Sequence, residues 1–438
     1  MLPAGGGEAK GDGVAESTAR SRKLGVLSRL RSKYDANSTL FWVCALIFVN
    51  QLGFGGIVPV VPLYSESFGV SKTAIGLAIA IYGLARFLLN VPSGQMADRL
   101  GRRMTLAIGG GVTVAGNIIC AVAPEYWLFL SGRFIAGCGA AMVLTGTQVI
   151  IADISVPANR GRMMATYMGF FLFAVGIGPL PGGLLAEFVS LSAPFYTFAA
   201  LAVGTTIVAW FRIPETRSWR SESAQATASK APAKVSFRQQ LSLLTARRGF
   251  ALISLVSFTQ FFARTGALFT LIPGLADAKL GLSTGRIGAG LAMANLMAMF
   301  VTYPSGALTD RFGRKAVIVP STVFSGLALC LFALAGNYAW FLVACVVWSL
   351  ASGVSAAAPT AYAADMAPPG MNAPAMSMYR MLADFGYVVG PLLLGSTADF
   401  VSTEAALYAT AAMVVAAGAA FALLAPETYR RAVAAGDD

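Results

Sequence analysis

The sequence contains no histidine and few charged residues. Of its 438 residues, 12% are charged and 56% are hydrophobic, whereas about a quarter of the residues in an average soluble domain are charged. Without histidine the chain has no imidazole to serve as metal ligand, general base or proton relay. So little charge excludes an ordinary water-soluble protein of this length and indicates that much of the apolar surface faces lipid.

The sequence also lacks the motifs of common catalytic and cofactor sites. It has no P-loop for ATP, and a serine nucleophile would have no histidine to activate it. The five cysteines stand singly in apolar stretches, without the spacing of a metal or redox site, and are expected to be small buried side chains. We therefore predict that the protein is not an enzyme and that it holds no metal and no cofactor.

Twelve apolar runs are long enough to cross a bilayer as helices, which takes about 20 residues each. The predicted spans are 39–61, 72–95, 104–123, 126–151, 164–187, 194–212, 251–275, 284–306, 316–335, 338–362, 374–397 and 405–424. The expected organisation is a disordered cytoplasmic tail (1–38), a six-helix bundle (39–212), a cytoplasmic linker (213–250), a second six-helix bundle (251–428) and a cytoplasmic tail (429–438).

The distribution of lysine and arginine predicts the orientation. If the N-terminus is inside the cell, the cytoplasmic segments hold 25 of the 32 basic residues and the outside loops hold three. Positive charge is retained on the cytoplasmic side of membrane proteins, so we predict a multi-pass protein of the plasma (inner) membrane with both termini in the cytoplasm. The basic residues form short clusters and no extended basic face, so no nucleic-acid partner is expected.

The two halves of the chain match each other at a constant offset of 212 residues. No gap is needed between residues 92 and 216. A duplicated six-helix unit keeps its orientation in the membrane, so the halves are expected to be parallel repeats around an axis along the membrane normal. Matching segments include Pro92-Ser93-Gly94 with Pro304-Ser305-Gly306, Gly178-Pro179 with Gly390-Pro391, Gly183 with Gly395, and Pro214-Glu215-Thr216 with Pro426-Glu427-Thr428.

The segment after the second predicted helix, GQMADRLGRR, carries a resemblance to a known family. Together with twelve helices in two halves and a basic linker, it resembles the major facilitator superfamily. The loop motif of that family is matched at Gly94, Asp98, Arg99, Gly101, Arg102 and Arg103, and again at Gly306, Leu308, Asp310, Arg311, Gly313, Arg314 and Lys315. The resemblance implies an all-α fold of two pseudo-symmetric six-helix bundles around a central cavity.

Asp98 lies at the cytoplasmic end of the second predicted helix. A carboxylate there can face the positive N-terminus of a neighbouring helix and nearby arginines, and Gly94 and Gly101 permit close approach and a tight turn. The family resemblance implies that this cluster latches the two halves together on the cytoplasmic side in the outward-facing state. The alternative is that the arginines only fix the topology.

Two further motifs resemble those of proton-coupled exporters. The fourth predicted helix holds Arg133 in a pattern that the family associates with proton coupling, although Ala136 replaces the usual glutamine; the alternative is a static strut to helix carbonyls. The fifth holds Gly178-Pro179-Leu180-Pro181-Gly182-Gly183, similar to the antiporter motif. Its proline and glycines would allow a bend and a tight seam, or would only kink the helix.

Asp384 is the one acid predicted deep in the membrane, four residues after Arg380 on the same helix face. Arg264 is expected at a similar depth. Burial raises the pKa of a carboxyl group and a cationic neighbour lowers it, so Asp384 is the best candidate proton site. The alternative is a permanent ion pair of Asp384 with Arg380 or with Arg264.

The expected function is secondary active transport by alternating access, with protons and a small molecule as partners and the protein as a monomer. The first hypothesis is proton-coupled efflux of small amphipathic compounds or drugs. The second is uptake or exchange of an organic anion, because four arginines and one aspartate lie within the predicted spans. A third is a transporter-like receptor or lipid-handling protein without proton coupling. Polar and aromatic residues expected to line the cavity are Asn50, Gln51, Gln148, Gln260, Phe261 and Trp348.

Overall fold

The computed structural model describes residues 36–155, 159–216, 242–244, 246–355, 358–368 and 372–427. Within these ranges, twelve helices are long and apolar enough to cross a membrane, which confirms the all-α fold of two six-helix bundles. Residues 1–35, 217–241 and 428–438 of the predicted tails and linker lie outside the described residues.

Nine of the twelve helices run without interruption, and three are divided. The continuous helices are α1 (Ala36–Ile57), α2 (Lys72–Leu100), α3 (Arg102–Val122), α4 (Tyr126–Ile154), α6 (Ala193–Arg212), α8 (Thr284–Phe312), α9 (Arg314–Leu334), α11 (Asn372–Phe400) and α12 (Thr403–Leu424). The divided helices are α5 (Arg160–Ile177 and Pro179–Phe188), α7 (Arg248–Phe262, a π-helical segment Ala263–Leu271, and Ile272–Leu280) and α10 (Tyr338–Val354 and Ala358–Asp365). A short helix, Val60–Glu66, follows α1.

The segments predicted as loops after the second and eighth helices are mostly helical. Helix α2 continues to Leu100 rather than to residue 95, and α8 continues to Phe312 rather than to residue 306. A helix satisfies its own backbone hydrogen bonds and can therefore extend beyond the hydrocarbon with polar side chains. The turns are made by Gly101 and Gly313, whose φ angles of 98° and 95° favour glycine.

The buried apolar side chains show where the two halves meet. We call the end of the molecule that holds residues 36 and 427 the terminal face, and the opposite end the far face. At the far face one buried cluster contains residues of both halves, from Ile57 and Phe129 to Phe341 and Leu394. At the terminal face each half has a separate cluster. The halves are therefore packed together at the far face and separated at the terminal face.

The exposure of α2 changes along its length in agreement with this separation. Near the far face, Gly76 packs on the carbonyl of Pro391 and Gly83 packs on the ring of Tyr387, both in α11 of the other half. Further toward the terminal face, Phe87 is 43% exposed, although residues 76, 83 and 87 share one face of the helix. The exposure of Phe87 thus agrees with two halves that separate toward the terminal face.

Candidate functional site

The glycine–proline motif of α5 lies at the contact between the two halves. Pro179 begins the second part of α5 and lacks the N–H that would continue the helix. A Cβ added to Gly183 would collide with the backbone of Thr284 in α8, and a Cβ on Gly288 would collide with the carbonyl of Pro179. The backbones of α5 and α8 are therefore in direct contact near the far face.

The other two glycines of the motif pack within their own half. A Cβ on Gly178 would lie 2.7 Å from the carbonyl oxygen of Leu52, and Gly182 packs on Gly56, so both face α1. One stretch of α5 thus contacts α1 on one side and α8 on the other. The close backbone contacts at the motif agree with the predicted seam, and the bend stays a prediction.

The second copy of this arrangement joins α11 to α2. Gly395, which matches Gly183 in the repeat, leaves no room for a Cβ beside the carbonyl of Lys72. Lys72 in turn matches Thr284, since each is the first residue of its helix. The far face is therefore closed by two equivalent seams, α5–α8 and α2–α11.

Each seam ends in a carboxylate that binds the N-terminus of a helix in the opposite half. Asp399 of α11 accepts hydrogen bonds from the backbone nitrogens of Lys72 and Thr73, both at 2.8 Å, and from the Thr73 hydroxyl at 2.5 Å. Glu187 of α5 accepts a hydrogen bond from the backbone nitrogen of Gly285 at 2.8 Å. A carboxylate at a helix N-terminus satisfies unpaired N–H groups and is favoured by the helix dipole. We call Asp399 and Glu187 the far-face carboxylates.

The far-face carboxylates were not predicted from the sequence, although the internal repeat places an acid at both positions. Glu187 and Asp399 are separated by 212 residues and stand four residues after the paired glycines. The sequence alone did not show that a helix of the other half begins opposite them.

The first loop motif encloses a buried arginine. Arg102 is 2% exposed; its Nε lies 2.7 Å from Asp153 of α4 and its Nη1 lies 3.1 Å from Asp98. Glu215, which follows α6, accepts hydrogen bonds from the backbone nitrogens of Arg102 and Arg103. Arg102 thereby ties α2, α3 and α4 together.

Asp98 itself is 59% exposed, and its recorded ion pair is with Arg102 of its own half. Among the described residues, Asp98 therefore forms no ion pair with the other half, in keeping with halves that are separate at the terminal face. The latching role stays a prediction for the opposite conformation. Arg99 is exposed. A Cβ added to Gly94 would lie 3.9 Å from Cγ2 of Thr145, which is an ordinary van der Waals distance.

The second loop motif repeats the first in a more exposed form. Arg314 lies 3.3 Å from Asp365, with side chains 18% and 38% exposed, and Glu427 accepts a hydrogen bond from the backbone nitrogen of Lys315. Arg311 is exposed and stacks over the ring of Phe312 at 5.3 Å. The side chain of Asp310 lies outside the described residues.

Arg133 is buried near the centre of the N-terminal half. It is 4% exposed, its Nε donates to the carbonyl of Ala78 at 3.2 Å, and its guanidinium stacks over Tyr82 at 4.5 Å. The hydrogen bond to a helix carbonyl is the contact expected of a strut. The role of Arg133 in proton coupling stays a prediction.

Asp384 forms one of the two ion pairs considered from the sequence. Arg380 Nε lies 3.3 Å from Asp384, with side chains 64% and 27% exposed. Arg264 instead stacks over the ring of Phe269 at 5.8 Å. Arg380 is therefore the more exposed partner of this pair.

The residues expected to line the cavity differ widely in exposure. Trp348 is 3% exposed and packs in the far-face apolar cluster, since its large ring is better accommodated there than in water. Asn50 and Gln51 are also 3% exposed. Gln148 is exposed, whereas Gln260 and Phe261 are half-buried. The ring centroid of Phe261 lies 5.9 Å from Cζ of Arg380.

Two structural features near the centre were not expected from the sequence. The first is the π-helical segment of α7, a conformation that is frequent at functional sites. The second is Tyr387 of α11, whose carbonyl accepts a hydrogen bond from the hydroxyl of Thr265 in that segment at 3.1 Å. Tyr387 thereby joins α7 to the α2–α11 seam.

Comparisons with known proteins agree with this architecture. The sequence model of the Major Facilitator Superfamily matches residues 43–303 and 253–437. The quinolone resistance protein NorA of Staphylococcus aureus (strain MRSA252) is 24% identical over 380 residues, covering 85% of this chain and 92% of NorA.

Two solved structures share the fold. A bacterial homolog of the human lysosomal transporter Spinster, described as inward-facing and unoccupied, superposes with a TM-score of 0.74 at 16% identity, covering 89% of this chain and 96% of that one. The human organic anion transporter MFSD10 superposes with a TM-score of 0.62 at 19% identity, covering 88% and 99%. With its twelve helices, its two equivalent seams and a family match over nearly its whole length, the chain belongs to the major facilitator superfamily of membrane transporters.

Proposed function

We propose that the protein is a secondary active transporter that exports small amphipathic compounds, including drugs, in exchange for protons by alternating access. The observation that carries the proposal is the asymmetry of the two ends. One apolar cluster and two seams close the far face, whereas the halves are separate at the terminal face. A carrier with one closed end exposes its central site to one compartment at a time.

The orientation that we propose places the terminal face in the cytoplasm. Its support is the excess of lysine and arginine in the segments at that face. The described conformation is then inward-open. We further propose that the protein is a monomer in the plasma membrane with both termini in the cytoplasm.

Export rather than import is supported by the glycine–proline motif of α5 and by the likeness to NorA, a quinolone resistance protein. For proton coupling we propose Asp384 as the carboxylate that exchanges a proton, with Arg133 and Arg264 setting the charge around it. Asp384 is half-buried at the border of the opening, so water can reach it in this conformation.

The direction of flux tests the proposal. Everted membrane vesicles with an acidified lumen are equilibrated with a fluorescent amphipathic probe, so that the probe is present on both sides of the membrane. The lumenal pH is followed with a second dye. An exporter accumulates the probe in the lumen while protons leave, and collapse of the pH gradient stops both. Movement of the probe without any proton movement contradicts proton coupling.

The second candidate function is uptake or exchange of an organic anion. It is favoured by the arginines of the central region, since Arg86, Arg133 and Arg264 have no recorded ion pair among the described residues. The same vesicles distinguish the two, because an importer would move the probe out of the lumen rather than into it.

A further inference from the structure

Three arginines from three helices lie near Tyr387 of α11. Arg86 of α2 is three residues after Gly83, which contacts the ring of Tyr387, and Arg133 of α4 stacks over the neighbouring Tyr82. Arg264 of α7 directly precedes Thr265, whose hydroxyl donates to the Tyr387 carbonyl. Tyr387 packs on Gly83, so the cluster lies where α2 and α11 bring the two halves together. Every movement that separates the halves must change the surroundings of these charges.

The cluster has no carboxylate of its own. Asp384 is the one acid that the described helices carry away from their ends, and it is paired with Arg380. A positive charge within a membrane protein is costly unless it faces water, a partner or an anion. Three such charges around one site therefore leave a requirement for negative charge that the described residues do not meet.

The arginines also retain unused hydrogen-bonding capacity. The Nε of Arg86 is buried and has no hydrogen-bond partner in the described part of the chain. The Nε of Arg133 donates to Ala78, and its guanidinium stacks on Tyr82, whereas Arg264 contacts the face of Phe269. Guanidinium groups bind carboxylates through two parallel hydrogen bonds, and stacking on a ring leaves the N–H groups at the edge of the guanidinium available.

The surroundings of the cluster are held in place. Tyr82 stacks on Phe54 with ring centroids 5.5 Å apart, and Thr265 binds the carbonyl of Tyr387. Aromatic rings beside fixed positive charges suit a molecule with an apolar body and one anionic group.

We propose that the transported molecule carries an anionic group, a carboxylate or a sulfonate, that binds at Arg86 and Arg264, with Arg133 adding its charge from behind Tyr82. This inference rests on the proposed transport function and specifies its substrate class. Drugs and metabolites qualify if they are amphipathic and anionic or zwitterionic. Their anionic group supplies the negative charge that the central cluster lacks.

Equilibrium binding to the full-length protein tests the proposal without any gradient. The protein is purified into nanodiscs of neutral lipid and titrated with dansylglycine, a carboxylate, and with dansylglycinamide, its neutral amide, while dansyl fluorescence is followed. We expect dansylglycine to bind at least about tenfold more tightly, because the charge pairs form in a site of low polarity. Arg86→Gln and Arg264→Gln should each remove most of that preference.

Two controls keep the result decisive. Arg286→Gln removes an exposed arginine that stacks on Tyr338 at the far face, and it should leave the preference unchanged. Arg86→Lys and Arg264→Lys keep the charge and should retain part of the preference, which decides the matter if the glutamine variants do not fold. Equal binding of the two probes by the unaltered protein overturns the proposal, as does a preference that survives in folded glutamine variants. A preserved preference together with absent proton-driven flux would instead refute the proposed function alone.

Discussion

Asp399 and Glu187 bind the N-termini of helices in opposite halves from positions that are equivalent in the internal repeat. Asp399 of the C-terminal half binds Lys72 and Thr73 of α2, and Glu187 of the N-terminal half binds Gly285 of α8. Both contacts cross between the halves at the far face, so they must break before that face can open.

Removing the charge of both far-face carboxylates should favour opening of the far face. Capping contacts of this kind contribute about 1 kcal/mol each. Asp399→Asn with Glu187→Gln should therefore remove about 2 kcal/mol and raise the population with an open far face about thirtyfold. The shift can be measured as a longer distance between spin labels at Val189 and Val401, which are exposed and equivalent in the repeat, in a cysteine-free background.

A neighbouring carboxylate provides the matched control for that experiment. Glu404 pairs with Lys279 at 3.6 Å, but both residues belong to the C-terminal half. Glu404→Gln should therefore leave the distance distribution unchanged. Identical distributions in the double variant and in the unaltered protein would show that the far-face carboxylates do not hold this face closed.

A methyl group added in either seam should impair transport. Gly183→Ala and Gly395→Ala each place a Cβ against the backbone of the opposite half, and strain of this kind costs roughly 1–3 kcal/mol. Transport rates should fall about tenfold while membrane insertion is retained. Gly111→Ala is the control, because among the described residues no atom beyond the backbone of its own helix lies within 4 Å of its added Cβ. Equal rates in all three variants would contradict the role of the seams.

Breaking the buried ion pair of the first loop motif should destabilise the protein. Asp153→Asn removes the closest partner of a guanidinium that is 2% exposed, and breaking a buried pair costs roughly 3–5 kcal/mol. The melting temperature in detergent should fall by several degrees. The equivalent Asp365→Asn should have a much smaller effect, since Asp365 is 38% exposed and exposed pairs contribute about 1 kcal/mol or less.

Asp98→Asn should abolish transport and leave insertion and thermal stability intact. Asp98 is 59% exposed in the described conformation, so its loss costs that conformation little, whereas the predicted latch of the opposite conformation would be lost. Transport assays and thermal melts on the same preparation separate the two effects. Normal transport by Asp98→Asn would leave the first loop motif with a structural role only.

Asp384→Asn should uncouple transport from protons. The variant cannot exchange a proton at this position, so the pH gradient should no longer drive accumulation of the probe, while equilibrium binding of the probe persists. Stopped-flow measurement of proton release on addition of the probe checks the coupling directly. Intact proton-driven transport would assign Asp384 and Arg380 to a permanent ion pair.

The sequence predicted the helices and the internal symmetry well, because long apolar runs and a gap-free repeat are properties of the chain itself. It predicted the ends of α2 and α8 less well, since polar residues can continue a helix beyond the hydrocarbon. Most contacts between residues that are far apart in the sequence could not be predicted. The contact of Asp399 with Thr73 and the burial of Trp348 depend on how the helices pack, and a single sequence carries no record of packing.

The apolar cluster shared by both halves at the far face restricts how the molecule can move. Parting the halves there would leave buried side chains such as Phe269 and Leu394 wetted, at a cost that grows with the apolar area exposed. Only simultaneous docking of the halves at the terminal face can offset that cost. A continuous water-filled passage through the membrane is therefore strongly disfavoured, so ions do not leak through the protein while it changes conformation.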